Sequence, residues 1–367
     1  MNPKENKARP DRARHKAALL KAYDDAARIA FSPFIFQAAV AAKKLGMMAR
    51  LGAAAEPVRY EVLAEEAGVS PYGARLLMQI LSAAGVVEGS DEAGYLLTKT
   101  GECLTYDAMT AANFDFTADV NYKGLAETTE AIRTGKPAGL KAFDPAWETI
   151  YPHLKDLPAE AQKSWFAFDH FYSDGAFREA LRVLAARAPA RFFDIGGNTG
   201  RFTKMALEAW PETEATIVDL PEQIGLMRAN PDLEGLQHRI RAFPIDWLSE
   251  GASLDGAGEA DLIWMSQFLD CFSRAEAVGI LNEAKKALAE NGVIVVMEPL
   301  CDRQRNDTAA LSLAASSLYF TVLANGNSRF FFEADLLEIF EAAGLGVIES
   351  HPNLGVCHTL FVLRPKV

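Results

Sequence analysis

From about residue 189 the chain alternates short apolar runs with segments of helical period. The runs fall at 190–194, 214–219, 239–243, 261–266, 292–298 and 357–363, and each reads as a buried strand. Between them, apolar positions three and four apart predict helices, among them 274–289 and 333–343. This alternation predicts an α/β fold with a doubly wound, mostly parallel, Rossmann-like sheet. Upstream the period is helical instead. Residues 11–50 carry it, and the segment Ser32-Pro33-Phe34-Ile35-Phe36 onward is too apolar for a freely exposed helix. It is expected to pack into a core or against a partner subunit.

Residues 60–85 read as helix, a Gly68-Val69-Ser70 turn, and a second helix with Ser70 as N-cap and Pro71 at its first position. A short hairpin follows over 86–98. Helix-turn-helix plus hairpin is a winged helix. Its second helix carries one basic residue, Arg75, and its hairpin carries Glu88, Asp91 and Glu92. Phosphate contacts need Lys or Arg, so dimerisation rather than DNA binding is the expected role. Residues 106–185 read as mainly helical, with a loop at Gly135-Lys136-Pro137 and an aromatic-rich run from Ser164 to Asp174.

The 367 residues suffice for about two domains. Net charge is −12, which argues against general nucleic-acid binding. No apolar run was found that reaches the length of a membrane span, and the charged start has no signal-peptide core behind it. Cys103, Cys271, Cys301 and Cys357 are scattered, and the six histidines form no ligand pattern. Reduced thiols, a cytoplasmic location and no metal are the expectation.

The candidate chemistry begins at Arg191-Phe-Phe-Asp-Ile-Gly-Gly-Asn-Thr-Gly200, a strand ending in an acid, a glycine turn and a helix start. Glycine carries no Cβ and lets a ligand approach the backbone, here at the carboxyl end of the first strand of the α/β sheet. The second strand ends in Asp219, and an acid there can accept both hydroxyls of a ribose. The turn lacks the dinucleotide pattern of G-x-G-x-x-G, because Asn198 holds the middle position. Asp194 would repel a pyrophosphate but suits the α-ammonium of a methionine moiety. The turn therefore favours S-adenosylmethionine (SAM) over NAD.

With the winged-helix front half, Asp194-Ile-Gly196-Gly197-Asn198-Thr-Gly200 and Val218-Asp219-Leu220-Pro221, the chain resembles the class I SAM-dependent O-methyltransferases of the plant phenolic and bacterial polyketide type. The resemblance covers about 20–365. It implies a homodimer and a small aromatic hydroxylated acceptor. Asp246 matches the acid that meets the adenine amino group, Trp247 the apolar flank of the ring, and Ser266 a position near the cofactor. Two departures stand out. The first is Asn198, where the family has glycine; asparagine is well able to take φ > 0. The second is Asp270, in Leu269-Asp-Cys-Phe-Ser273, where the family carries the histidine that takes the acceptor proton. Glu298 matches the acid that steadies that histidine. A further family glutamate has no counterpart in Ala324-Asn-Gly-Asn-Ser-Arg-Phe-Phe-Phe332.

An ordinary aspartate is a poor base for a phenol. The gap between about 3.9 and about 10 makes full proton transfer cost roughly 8 kcal/mol. Three routes stay open: Asp270 raised by Glu298, His170 as the base, or an acceptor acidic enough to need little help. Alternatives to O-methylation are methylation at an aromatic carbon, a SAM-binding protein diverted to other chemistry, and a winged-helix regulator. The expected organisation is a mobile tail (1–15), a winged-helix dimerisation domain (16–105), a helical connector lining the substrate pocket (106–185) and a SAM-binding catalytic domain (186–367).

Overall fold

The computed structural model describes residues Arg9–Lys366. The chain forms two compact units, Met1–Phe114 and Asp115–Val367. The stretch expected as one connector is thus divided: 106–114 counts with the first unit, and 115–185 belongs to the same unit as the sheet. Residues 1–8 of the expected tail lie outside the described residues, and Arg9–Lys44 is one helix, so residues 9–15 are not a tail.

In the first unit the helices Tyr60–Ala67 and Pro71–Ala83 are joined as expected. Ser70 caps the second, its hydroxyl accepting from Gly73 N at 3.1 Å. Strands β1 (Val87–Ser90) and β2 (Gly94–Leu97) form an antiparallel pair. Leu63, Met78, Leu81 and Val87 are buried beneath these elements. On the long first helix, Leu20, Tyr23, Ile29, Phe31 and Phe34 remain exposed.

The second unit is built on seven strands: β3 (Arg191–Ile195), β4 (Glu214–Asp219), β5 (Ile240–Pro244), β6 (Ala260–Ser266), β7 (Leu288–Pro299), β8 (Leu345–Leu354) and β9 (His358–Pro365). Their order is β5-β4-β3-β6-β7-β9-β8. The pairs from β5 to β7 are parallel, while β9 runs antiparallel to both its neighbours. Alternate residues feed opposite faces. Phe193, Ile263, Met265, Ile294, Val296 and Phe361 pack toward the helices Arg274–Lys286 and Glu333–Ala342. Phe192, Leu262, Trp264, Val295 and Leu360 pack toward Ala159–Leu184 and Arg201–Ala209. Because both faces are covered, these strands read as continuous apolar runs.

Two expectations need correction. Strand β8 shows no clear pattern because it is an edge strand whose register shifts between Val347 and Glu349 and between His351 and Leu354, leaving Val347 and Ile348 both exposed, with Pro352 tolerated at the edge. The segment 307–324 is, by length and composition, apolar enough to cross a membrane, with mean hydropathy 1.3. Its last residues, Phe320 and Val322–Ala324, are buried against Phe116, Leu140 and Ile150.

Phe340 is 1% exposed and meets Phe361 edge-on, centroids 5.6 Å apart. Phe340→Ala should lower unfolding free energy by about 3–5 kcal/mol. Equilibrium urea denaturation measures this, and a loss below about 1 kcal/mol would show that this helix does not anchor the sheet.

Candidate functional site

The carboxyl ends of β3, β4 and β6 meet around a cavity of about 600 Å³. Open α/β sheets bind ligands at this edge, where the chain leaves the first strand toward opposite sides. Register explains the convergence. Asp194 pairs with Ile217 on one side and Trp264 on the other, so Asp219 and Ser266 both end just beyond it.

The glycine turn is shaped by contacts as much as by φ. Gly196 has φ +75°, and a Cβ there would lie 2.4 Å from the Phe268 ring. Gly197 presses on Ile217 and on the Asp194 carboxyl, at 2.9 and 3.0 Å from the same hypothetical atom. Asn198 takes φ +49°, the left-handed conformation that let it stand for glycine. Its backbone N–H donates to Asp219 Oδ2 at 2.7 Å, and Leu220 N–H donates to Asp219 Oδ1 at 2.7 Å. The second-strand acid is therefore held rigidly by the turn it follows, and each oxygen keeps a lone pair. Asp194 accepts from the Thr203 hydroxyl at 2.6 Å.

Asp194, Gly196, Gly197, Asn198, Asp219 and Leu220 line the cavity. Asp246, Trp247 and Ser266 line it too. Asp246 is fixed locally, accepting from Leu248 N–H at 3.0 Å and the Ser249 hydroxyl at 2.9 Å. Gly200 does not reach the cavity. It opens the helix behind the turn with φ +83°, and an added Cβ would meet Leu233 at 2.9 Å. It serves packing rather than ligand approach.

Of the catalytic candidates, Asp270 and His170 line the cavity and Glu298 does not. Glu298 is fully buried behind the loop that carries Asp270. Its Oε1 accepts from Phe268 N–H at 3.1 Å and Leu269 N–H at 2.9 Å. It thus shapes the loop from beneath. Burial, then repulsion from Asp270, pushes Glu298 well above the usual carboxyl range. Burial likewise raises Asp270 to about 7. The two buried carboxyls titrate as a coupled pair, each driven toward its protonated form. Asp270 Oδ2 has no hydrogen-bond partner although Asp270 is only 1% exposed. His170 is pushed below its usual value, first by burial and then by the Arg201 charge, and its Nε2 also lacks a partner.

Several residues on this cavity carried no sequence signal. Gln267 takes φ +49° at the end of β6, and its Oε1 lies 2.9 Å from Nε2 of the buried His358. Arg201 pairs with Asp174, its Nε donating to Oδ1 at 3.0 Å. Asp169 is raised to about 7 by burial, with the Asp174 charge adding to it. The remaining wall is aromatic: Phe116 stacks on Phe168 at 4.1 Å and meets Tyr319 edge-on at 5.1 Å. Trp165 Nε1–H donates to the Tyr319 hydroxyl at 2.7 Å. Both π-helical turns among the described residues, Phe116–Asn121 and Phe320–Ala324, put their first phenylalanine on this wall. Such turns cluster at functional sites. Asn325 is a loop support, its Nδ2 donating to Cys271 O at 3.0 Å.

Seven buried polar atoms of residues on the cavity, Tyr151 Oη, His170 Nε2, Asn198 Oδ1, Gln223 Oε1, Trp247 Nε1, Ser266 Oγ and Asp270 Oδ2, have no hydrogen-bond partner in the protein. Such atoms cost free energy unless a ligand or water satisfies them. Donors, acceptors and an acidic balance along one aromatic-walled cavity fit a polar cation with a flat heterocycle beside an aromatic second ligand.

The buried acids give a testable sign. Asp194 at about 7, Asp219 at about 6 and Asp270 at about 7 all lie above their unfolded values, chiefly through burial. A raised carboxyl contributes stability below the unfolded pKa that is lost as pH rises through the folded one. The ligand-free protein should therefore melt at a higher temperature near about pH 5 than near about pH 8. Asp270→Asn should raise the melting temperature at the upper pH only. An equal shift at both would mean that Asp270 is not the titrating group.

Comparison with known proteins agrees with this geometry. Residues 173–346 match the family model described as the O-methyltransferase domain. The chain is 26% identical to 3-amino-4-hydroxybenzoate 4-O-methyltransferase of Streptomyces cremeus over 296 residues, covering 80% of this chain and 77% of that one. It is 26% identical to phenazine-1-carboxylate N-methyltransferase of Pseudomonas aeruginosa over 239 residues, covering 65% and 68%. Among solved structures, a mitomycin 7-O-methyltransferase superposes with a TM-score of 0.74 at 19% identity, covering 96% of this chain and all of that one. Human N-acetylserotonin methyltransferase in complex with SAM gives 0.66 at 18%, covering both chains fully. At these identities the superpositions show the shared fold.

Proposed function

We propose that this chain, whose residues 173–346 match the family model described as the O-methyltransferase domain, transfers a methyl group from SAM to the hydroxyl of a small aromatic metabolite. The observation that carries the reading is the joint placement of Asp219, gripped by Asn198 and Leu220 N–H, and Asp270, unpartnered and buried, on one cavity.

The residues present fit SAM. Asp194 suits its ammonium and Asp219 its ribose hydroxyls. Asp246, Trp247 and Ser266 stand along the cavity for the adenine end, and Leu220 adds apolar surface. When bound, SAM supplies an activated methyl on a positively charged sulfur. The chain does the rest by holding the acceptor in place, excluding water and removing a proton. Asp270 takes the proton of the acceptor hydroxyl. Burial raises the Asp270 pKa above that of an ordinary aspartate, which narrows the gap to a phenol at about 10 and lowers the cost of the proton transfer. Glu298 anchors the loop that carries Asp270, its Oε1 accepting from Phe268 and Leu269 N–H. His170, neutral through burial, is the second candidate for the proton.

The same reading makes the first unit a winged-helix module for homodimerisation. The exposed apolar side chains of helix Arg9–Lys44 support that role. The one basic residue of the second helix, Arg75, is paired with Asp91 at 2.8 Å, which leaves that helix without a cation to offer nucleic acid. A cytoplasmic enzyme acting without membrane contact fits the four unpaired cysteines.

Two variants separate the roles. Asp219→Ala should weaken SAM binding at least about ten-fold by calorimetry. Asp270→Asn should bind SAM like wild type yet lose about 10²–10⁴-fold in kcat. The wild-type kcat should rise with pH through about 7 as Asp270 ionises. Unchanged SAM affinity in Asp219→Ala would remove the cofactor assignment. Unchanged kcat in Asp270→Asn would pass the proton to His170.

A further inference from the structure

The charges on the cavity say something about the acceptor. Asp194, Asp219 and Asp246 are assigned to the cofactor end. Three carboxyls remain, Glu148, Asp169 and Asp270, and the last two are close enough for the Asp169 charge to raise the Asp270 pKa. These two belong with the aromatic wall: Asp169 follows Phe168 on helix Ala159–Leu184, and Phe168 stacks on Phe116. Among the described residues that line the cavity, Arg201 is the one permanent cation, and Asp174 already pairs with it. Of the two histidines there, His170 has its charged form disfavoured by burial, and His153 already has Asp156 beside it, Nδ1 to Oδ2 at 3.5 Å. Tyr151 and Tyr319, also on this wall, are pushed upward by burial and stay protonated. An acidic pair alone would not mark a ligand. Asp270 Oδ2, however, is buried, unpartnered and on the cavity, and so calls for a donor from whatever binds there.

We infer that the acceptor is a phenol bearing no anionic group, neutral or amine-substituted, and that Asp169 is the residue that excludes aromatic carboxylates. A carboxylate on the ring would enter a low-dielectric cavity beside two acids with no free cation to meet it. A neutral ring meets apolar and hydroxyl surface, and an ammonium meets Asp169. The inference rests on the methyl-transfer reading for which end of the cavity is which.

The test uses three catechols that differ in one substituent: 3,4-dihydroxybenzoate, 3,4-dihydroxybenzamide and 3,4-dihydroxybenzylamine. Each is titrated into the full chain saturated with S-adenosylhomocysteine, at about pH 8 so that both acids are ionised. The amide and the amine should each bind at least about ten-fold tighter than the carboxylate. Asp169→Asn, near-isosteric, should narrow the carboxylate gap to within about three-fold and weaken the amine. Its unaltered S-adenosylhomocysteine affinity would show that the fold is intact. A carboxylate that binds as tightly as the amide overturns the inference, as does a gap that Asp169→Asn leaves unchanged. If the wild type takes S-adenosylhomocysteine but none of the three catechols, the acceptor class is wrong while the cofactor reading stands. If it does not take S-adenosylhomocysteine, the cofactor reading falls and the inference with it.

Discussion

Withdrawal of carboxyl groups from water at one edge of one sheet is the constraint on which the rest of this site depends. Asp194, Asp219, Asp270 and Glu298 are all driven above their ordinary pKa values, and burial is the leading cause for each. A globular protein avoids this arrangement unless something compensates it. Here the compensation is partial. Asp219 and Glu298 each accept two backbone N–H groups, and Asp194 accepts one hydroxyl. Asp270 Oδ1 receives a weak thiol contact from Cys271, at 3.5 Å, and its Oδ2 meets no N–H or hydroxyl donor. The group with the poorest support also lines the cavity. A cationic ligand would meet this deficit, so cofactor affinity and fold stability draw on the same electrostatics.

The fold was legible because each signal had a local cause. Strands covered on both faces show as apolar runs, and the turn at Gly196 to Gly200 shows because glycine is needed where Phe268 and Leu233 press on the backbone. Asn198 was legible for the same reason, at φ +49°. Strand β8 was not, because an edge strand obeys weaker rules of pattern. The acids at strand ends could be found from position alone. Gln267, Asp169 and the Trp165–Tyr319 contact could not, since they are brought together by segments far apart in sequence. Glu298 and Gly200 show a further limit. Gly200 was legible as part of the turn but not as a packing contact of Leu233, and Glu298 was legible as a supporting acid but not as the acceptor of the Phe268 and Leu269 N–H groups.

The two ends of the cavity differ in how they are built. One end is made of strand tips and backbone N–H groups, fixed by hydrogen bonds of the sheet. The other is made of aromatic side chains, most of them from helices, fixed by ring contacts such as Phe116 on Phe168 and Phe320 on Phe330. Backbone-built sites tolerate few substitutions, whereas side-chain-built sites can be repacked at modest cost. One scaffold can thus keep its cofactor while changing its acceptor.

The π-helical turns at Phe116–Asn121 and Phe320–Ala324 extend that contrast. Each holds one residue more than an α-helical turn would. Deleting a single residue from either would let the helix close into regular α geometry. Everything on one side of the deletion would then rotate by about 100° relative to the other, carrying Phe116 or Phe320 off the wall. The acceptor pocket can therefore be reshaped by the gain or loss of one codon, with no change in the sheet, the glycine turn or the buried acids.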